Sequence, residues 1–185
     1  MSELLEQLAQ RQAPLERILM VCLGNICRSP SAEGVLRAAL TRHGLDQVIT
    51  VDSCGTSDWH VGGQPDSRAI AHAAKRGHDI STLRARQLCE QDFHDFDLIL
   101  VMDDANLADT RALAARSNSG DQALIGRLLD LLPIPLPALA AGSREVPDPY
   151  TGGPDAFERV LDLIDVACEA LIAALPAATT ARARS

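Results

Sequence analysis

Residues 22–29 read Cys-Leu-Gly-Asn-Ile-Cys-Arg-Ser. A cysteine and an arginine with five residues between them can transfer a phosphoryl group if a turn gathers the intervening backbone N–H groups around one anion. The apolar run Ile18-Leu19-Met20-Val21 precedes this stretch, and Pro30 opens a helical pattern behind it. The stretch therefore reads as a strand-to-helix turn, where converging N–H groups and the positive end of a helix favour phosphate. A thiolate of Cys22 at the floor of that turn would be stabilised by the same field and could attack phosphorus. Arg28 offers a planar fork for two phosphoryl oxygens. The expected phosphate ligands are the loop residues Leu23, Gly24, Asn25, Ile26 and Cys27, together with Arg28. Gly24 admits close backbone approach, and Asn25 tolerates left-handed backbone angles. Ser29 can cap the following helix or donate a hydrogen bond to the Cys22 sulfur.

Displacing an alkoxide or phenoxide from phosphorus requires a general acid for the leaving group. Asp148, held between two prolines in Val146-Pro-Asp-Pro-Tyr150, is the candidate. The single Trp, Trp59, and the single Tyr, Tyr150, fall in loops expected at the same end of the fold as Cys22. They would form aromatic walls around an anion hole, which suits a flat aryl phosphate. His60, beside Trp59, is placed in the same substrate pocket without a catalytic role. Cys27, inside the loop, could trap a Cys22 sulfenic acid as a disulfide and serve as a redox partner.

The chain has 185 residues and a formal net charge of -8. That length suits one domain with a sizeable core, and the acidic balance argues against nucleic-acid binding. No apolar run is long enough for membrane insertion, and the N-terminal residues lack the pattern of a signal peptide. Five scattered cysteines without a secretion signal point to reduced thiols in the cytoplasm. No further cysteine or histidine pair stands at zinc-like spacing, so neither a metal nor another cofactor is expected.

Stretches of β type at 17–22, 48–53 and 97–102 alternate with helical stretches after Ser29, after Asp66, from Ala105 to Arg116 and from Asp155 to Leu175. Residues 123–132 suit either a last strand or a helix. Pro133, Pro135 and Pro137 interrupt regular structure beyond it, and 117–121 and 140–153 read as turn and loop. Alternating strands and helices imply a parallel sheet with helices on both faces, and ligands in such sheets bind at the carboxyl ends of the strands. Residues 1–14 are expected to be a frayed or loosely docked extension. Residues 15–176 form the domain, and 177–185 form a disordered tail. Cys54, Cys89 and Cys168 are expected in the core, and His72 at a helix surface or turn.

With Val21-Cys-Leu-Gly-Asn-Ile-Cys-Arg-Ser-Pro30 and Asp148-Pro-Tyr150, the chain resembles the low-molecular-weight protein tyrosine phosphatases. Val51-Asp-Ser53, Thr56-Ser-Asp-Trp59, Ala85-Arg-Gln87 and Val101-Met-Asp103 extend the likeness over about Arg17 to Leu175. The resemblance implies a single three-layer α/β domain around a four-stranded parallel sheet of order 2-1-3-4. It implies a cysteinyl-phosphate intermediate, with Cys22 as nucleophile, Arg28 binding phosphate and Asp148 as proton donor and then base. Asn25, Ser29 and Ser53 would brace the loop, and Asp103 would be a structural aspartate beside it. The implied partner is a tyrosine-phosphorylated protein, such as a bacterial tyrosine kinase or a polysaccharide-export enzyme, acted on by a monomer or weak dimer. Thr151 departs from the pattern, since many members carry a second tyrosine there. Two rival readings use the same loop: a thiol-dependent arsenate reductase, which needs further relay cysteines, and a catalytically silent phosphotyrosine-binding module.

Overall fold

A computed structural model describes residues 2–117, 123–133 and 143–182. The chain runs α1 (Glu3–Gln10), β1 (Arg17–Cys22), α2 (Arg28–Arg42), β2 (Thr50–Gly55), α3 (Ser67–Lys75), α4 (Asp92–Asp95), β3 (Leu98–Val101), α5 (Asp104–Arg116), β4 (Leu124–Arg127), a 3-10 turn (Leu128–Leu131), α6 (Pro154–Ala173) and α7 (Ala177–Arg182). The four strands form one parallel sheet in the order β2-β1-β3-β4, as expected. The chain leaves β1 for β2 on one side and returns to β3 on the other. The order therefore reverses at β1, and the crevice of such a sheet opens at the carboxyl end of that strand. Cys22 is its last residue.

Alternation along the strands fills both faces. Ile18 and Met20 of β1 and Leu98 and Leu100 of β3 join the core under α1, α2 and α6. Leu19, Val21, Ile99 and Val101 point the other way, against Phe93 and the apolar side of α5. Sheets covered on both faces need such continuous apolar strands. A smaller cluster of Cys27, Ala69, Ala73, Ile80 and Phe157 ties α3 and α6 to the loop after β1.

Three expectations are corrected and one left open is decided. The segment before β1 is docked rather than loose, because Leu4 and Leu8 of α1 are buried in the main core. Ser2 caps α1, and its hydroxyl donates to Asp130 O. The tail expected to be disordered from residue 177 forms α7 as far as Arg182. There the Thr179 hydroxyl, itself buried, accepts the Leu15 N–H at 2.7 Å and Arg182 pairs with Glu16. Strand β2 spans 50–55 rather than 48–53, because its pairing continues until Gly55 stands opposite Cys22. The ambiguous stretch at 123–132 divides into β4 and a 3-10 turn. Pro135 and Pro137, and the turn and loop expected at 118–121 and 140–142, lie outside the described residues.

Candidate active site

The chain leaves β1 at Cys22 and turns through residues 23–27 before α2 begins at Arg28. Asn25, at φ 53°, is the one non-glycine residue with positive φ among those described. Gly55 lies directly behind the turn. A Cβ there would stand 2.6 Å from Leu23 O and 3.1 Å from Asn25 N, so only glycine lets the end of β2 support the loop. Ser29 does not cap α2. Cys27 occupies that position without a side-chain cap, and Ser29 is completely buried one residue inside the helix.

The Ser29 hydroxyl belongs to a buried network. Asn25 Nδ2 donates to Ser29 Oγ and to Ser53 Oγ, each at 2.9 Å, while Asn25 Oδ1 accepts the Arg86 N–H at 3.0 Å. A hydroxyl that accepts from Asn25 must send its own proton elsewhere. Ser53 sends its proton to Glu33 Oε2 at 2.6 Å. Ser29 has Cys22 Sγ and Cys54 O within 3.1 Å. The Asn25 N–H donates to Cys22 Sγ at 3.3 Å. The arrangement supplies the Asn25 N–H to the sulfur and holds the Ser29 hydroxyl where its one proton can go either to that sulfur or to Cys54 O. Burial pushes the Glu33 carboxyl above its usual range, although Ser53 and the Arg37 guanidinium, 2.6 Å away, pull the other way.

Arg28 is 4% exposed. Nη1 donates to Asp103 Oδ2 at 2.6 Å and to Val146 O at 3.3 Å, and Nη2 donates to Asp148 Oδ2 at 2.9 Å. Burial opposes its charge, but Cys22, Asp148 and Asp103 outweigh burial and hold the guanidinium above its ordinary range. Asp103 is itself fixed as the N-cap of α5, accepting the Asn106 N–H at 2.7 Å. Asp148 Oδ1 accepts the Tyr150 N–H at 3.0 Å, which closes a tight turn. A cavity of about 330 Å³ opens above the loop, and Cys22, Arg28, Asp148, Trp59, His60 and Tyr150 all line it. Trp59 is 72% and Tyr150 51% exposed. The His60 ring packs over Gly24, where an added Cβ would meet its Cδ2 at 3.0 Å.

Comparison with known proteins decides the family. The family model described as low molecular weight phosphotyrosine protein phosphatase matches residues 17–181. The chain belongs to this family. A putative low molecular weight protein-tyrosine-phosphatase of Synechocystis is 42% identical over 160 residues, which cover 86% of this chain and 96% of that protein. The crystal structure of YfkJ from Bacillus subtilis superposes with a TM-score of 0.75 at 38% identity, over 88% of this chain and 96% of that one. Vibrio vulnificus Wzb in complex with benzylphosphonate matches with a TM-score of 0.69 at 29% identity, over 87% and 99%.

In this low molecular weight phosphatase fold, the residues anticipated for catalysis, phosphate and substrate gather at one cavity, while Ser29, Ser53 and Asp103 stand behind it as partners of Asn25 and Arg28. Cys22 and the loop to Arg28, Asp148, Trp59, His60 and Tyr150 line it, apart from Asn25, which braces the loop from behind. Four supporting residues escaped sequence reasoning. Glu33 and Arg86 hold the network around Asn25, and Gly55 backs the loop. Arg68 holds Tyr150 in place. Its guanidinium lies 5.4 Å from the Tyr150 ring centre and 5.0 Å from that of Phe157, it donates to Tyr150 O, and Asp66 grips it in turn. Glu33 carried a signal, being a carboxylate on the same helical stripe as Ser29, Leu36 and Leu40, all of which face inward.

Two other expectations change. Cys89 is exposed, since it stands just before the short α4 with its N–H held by Asp92. His72 is buried rather than at the surface, stacked on Phe157 and bonded through Nδ1 to Glu158. Cys27 is buried, and that burial, reinforced by Asp66, pushes its thiol up to about 12. It is therefore a protonated thiol at neutral pH. Among the described residues, no group of three or more His, Cys, Asp or Glu could hold a metal ion.

Proposed function

We propose that this chain hydrolyses phosphotyrosine and small aryl phosphates through a cysteinyl-phosphate intermediate. The supporting observation is that Cys22 Sγ, the Arg28 guanidinium and the Asp148 carboxyl line one cavity between two exposed aromatic rings. The benzylphosphonate held by Vibrio vulnificus Wzb is a ligand of the same shape.

The aryl phosphate enters between Trp59 and Tyr150. Its phosphoryl oxygens meet the loop amides from Leu23 to Cys27 and the fork of Arg28. Arg28 Nη2 transfers from Asp148 to the phosphoryl group, and the freed Asp148 carboxylate takes up a proton from solvent and turns to the leaving-group oxygen. The Cys22 thiolate forms an S–P bond as the P–O bond to the aryl group breaks, and Asp148 gives its proton to the departing phenoxide. Asp148, now a carboxylate, takes a proton from water as that water attacks phosphorus. The S–P bond breaks, returning the thiolate and releasing inorganic phosphate. Asn25, Ser29, Ser53 and Asp103 keep the loop and Arg28 in place. Side chains and water complete the cycle.

The substrates are read as tyrosine-phosphorylated proteins, among them a bacterial tyrosine kinase or its targets. Among the described residues no helix is long and apolar enough to cross a membrane. The five free cysteines suit a reducing cytoplasm.

Release of p-nitrophenol from p-nitrophenyl phosphate near pH 6, with a chelator present, tests the reading. Turnover that is lost in Cys22→Ser and greatly slowed in Asp148→Asn is expected. A folded, reduced chain without turnover would overturn it and direct attention to arsenate reduction or phosphotyrosine binding.

A further inference from the structure

A second groove, of about 350 Å³, adjoins the cavity and shares Leu23, Arg28 and Asp148 with it. Neither Trp59 nor Tyr150 lines it. Its far wall is the first turns of α5, with Asp103, Asn106 and Asp109, and its near wall is the Glu145–Asp148 segment. Four carboxylates face this groove, and Arg28, already committed to Asp103 and Asp148, is the only cation lining it among the described residues. Glu145 Oε1 accepts the Asp104 N–H. Asp109 has no ion pair among the described residues.

Acidic residues alone would make only a solvated surface. Asn106 adds an independent observation. It lines the groove, is 1% exposed, and its Oδ1 has no hydrogen-bond partner among the described residues. A buried acceptor left unpaired is costly and calls for a donor. Apart from Arg28, which Asp103 and Asp148 already hold, the charged side chains on these walls are carboxylates, so the matching ligand is a cationic donor. No cluster among the described residues could hold a metal ion, which leaves an organic cation.

We propose that the Asp109–Asn106–Glu145 groove is a substrate subsite for a lysine or arginine side chain one or two residues from the phosphotyrosine. The inference rests on the phosphatase reading of the adjoining cavity. A peptide whose phosphotyrosine fills that cavity passes Leu23 and Asp148, and a neighbouring basic side chain then reaches Asp109 and Glu145. The charged head would pair with these carboxylates and donate to Asn106 Oδ1.

The test compares phosphotyrosine peptides with alanine flanks against peptides carrying lysine or arginine at each position within two residues of the phosphotyrosine. Their kcat/KM is measured on the native chain. The basic peptides should be favoured about three- to tenfold at one or more positions, with the preference shrinking as salt is raised. In Asp109→Asn/Glu145→Gln the ratio of basic to alanine-flanked peptide should fall to near one, each ratio being taken within the variant. In Asp46→Asn/Asp95→Asn, which removes the same charge at the opposite end of the sheet, the ratio should persist. The same peptides are titrated onto Cys22→Ser, so that affinity is read even without turnover. Failure of the phosphatase reading would appear as binding without hydrolysis in the native chain. Equal kcat/KM and equal affinity for basic and alanine-flanked peptides would overturn the subsite. So would an unchanged ratio in Asp109→Asn/Glu145→Gln.

Discussion

Arg28 Nη2 lies 2.9 Å from Asp148 Oδ2, so the groups proposed to act on opposite sides of the scissile P–O bond are paired with each other before substrate arrives. A phosphoryl group that takes up Arg28 must break this pair. Binding of the anion and release of the acid are thereby one event. In Asp148→Asn the loss of kcat should be about 10²- to 10³-fold with phenyl phosphate. It should be smaller with p-nitrophenyl phosphate, whose leaving group needs less protonation. Inorganic phosphate should inhibit the variant at least as well as the native chain, because a competing carboxylate has gone. A series of aryl phosphates graded by leaving-group basicity checks this.

Asn25 is the hub of the buried network, and its side-chain amide sets the direction of both hydroxyls. Asn25→Ala leaves a residue without a side-chain amide at φ 53°, removes one partner each from Ser29 and Ser53, and unpairs the Arg86 N–H from its acceptor. The expected result is a stability loss of about 1–3 kcal/mol together with a fall in kcat. Glu33→Gln is subtler. A glutamine that donates to Ser53 competes with Asn25 for the same oxygen, so kcat should fall while KM for p-nitrophenyl phosphate changes little. Denaturant titration combined with steady-state kinetics separates the two effects.

Burial raises the thiols of Cys27, Cys54 and Cys168 above the ordinary thiol value of 9.0, that of Cys27 to about 12. A group with a raised folded-state value contributes stability that is fully present below its unfolded value and lost as pH rises through the folded one. From pH 9 to about 12 the unfolded chain releases these protons while the folded chain retains them. Unfolding free energy should therefore fall across that window, and Cys27→Ser should make the fall shallower. Urea titrations at successive pH values give the slope. The same protonated Cys27 should make its disulfide with an oxidised Cys22 form slowly at neutral pH and faster as pH rises.

Helix α1 buries Leu4 and Leu8 in the core beneath the sheet, and neither lines the cavity. Leu8→Ala should lower stability by about 2–5 kcal/mol, and kcat at a temperature where the variant remains folded should stay native. Thermal unfolding paired with p-nitrophenyl phosphate kinetics distinguishes this from any catalytic role for the helix.

The sheet was legible because apolar β runs alternate with capped helical stripes, and period-2 alternation on β1 and β3 did fill both faces. The loop residues were legible because cysteine, glycine, asparagine and arginine each have a distinct use around an anion. Less visible was anything that depends on long-range docking. The docking of α1, and of Thr179 against the Leu15 N–H, joins the two ends of the chain, which no local pattern records. Ser29 looked like a helix cap because serine before proline usually is one. The tertiary positions of Cys22 and Asn25 turned its hydroxyl inward instead. No local pattern marks Arg68, because only the fold places Tyr150 beneath it.

The most direct test of the account is to mix Asp148→Asn rapidly with p-nitrophenyl phosphate, quench, digest and locate bound phosphate by mass spectrometry. This variant lacks the carboxylate that activates water in the second step, so phosphate should accumulate on the peptide containing Cys22 and be absent from Cys22→Ser. Turnover without a phosphorylated Cys22, or phosphate carried by any other residue, would contradict the account.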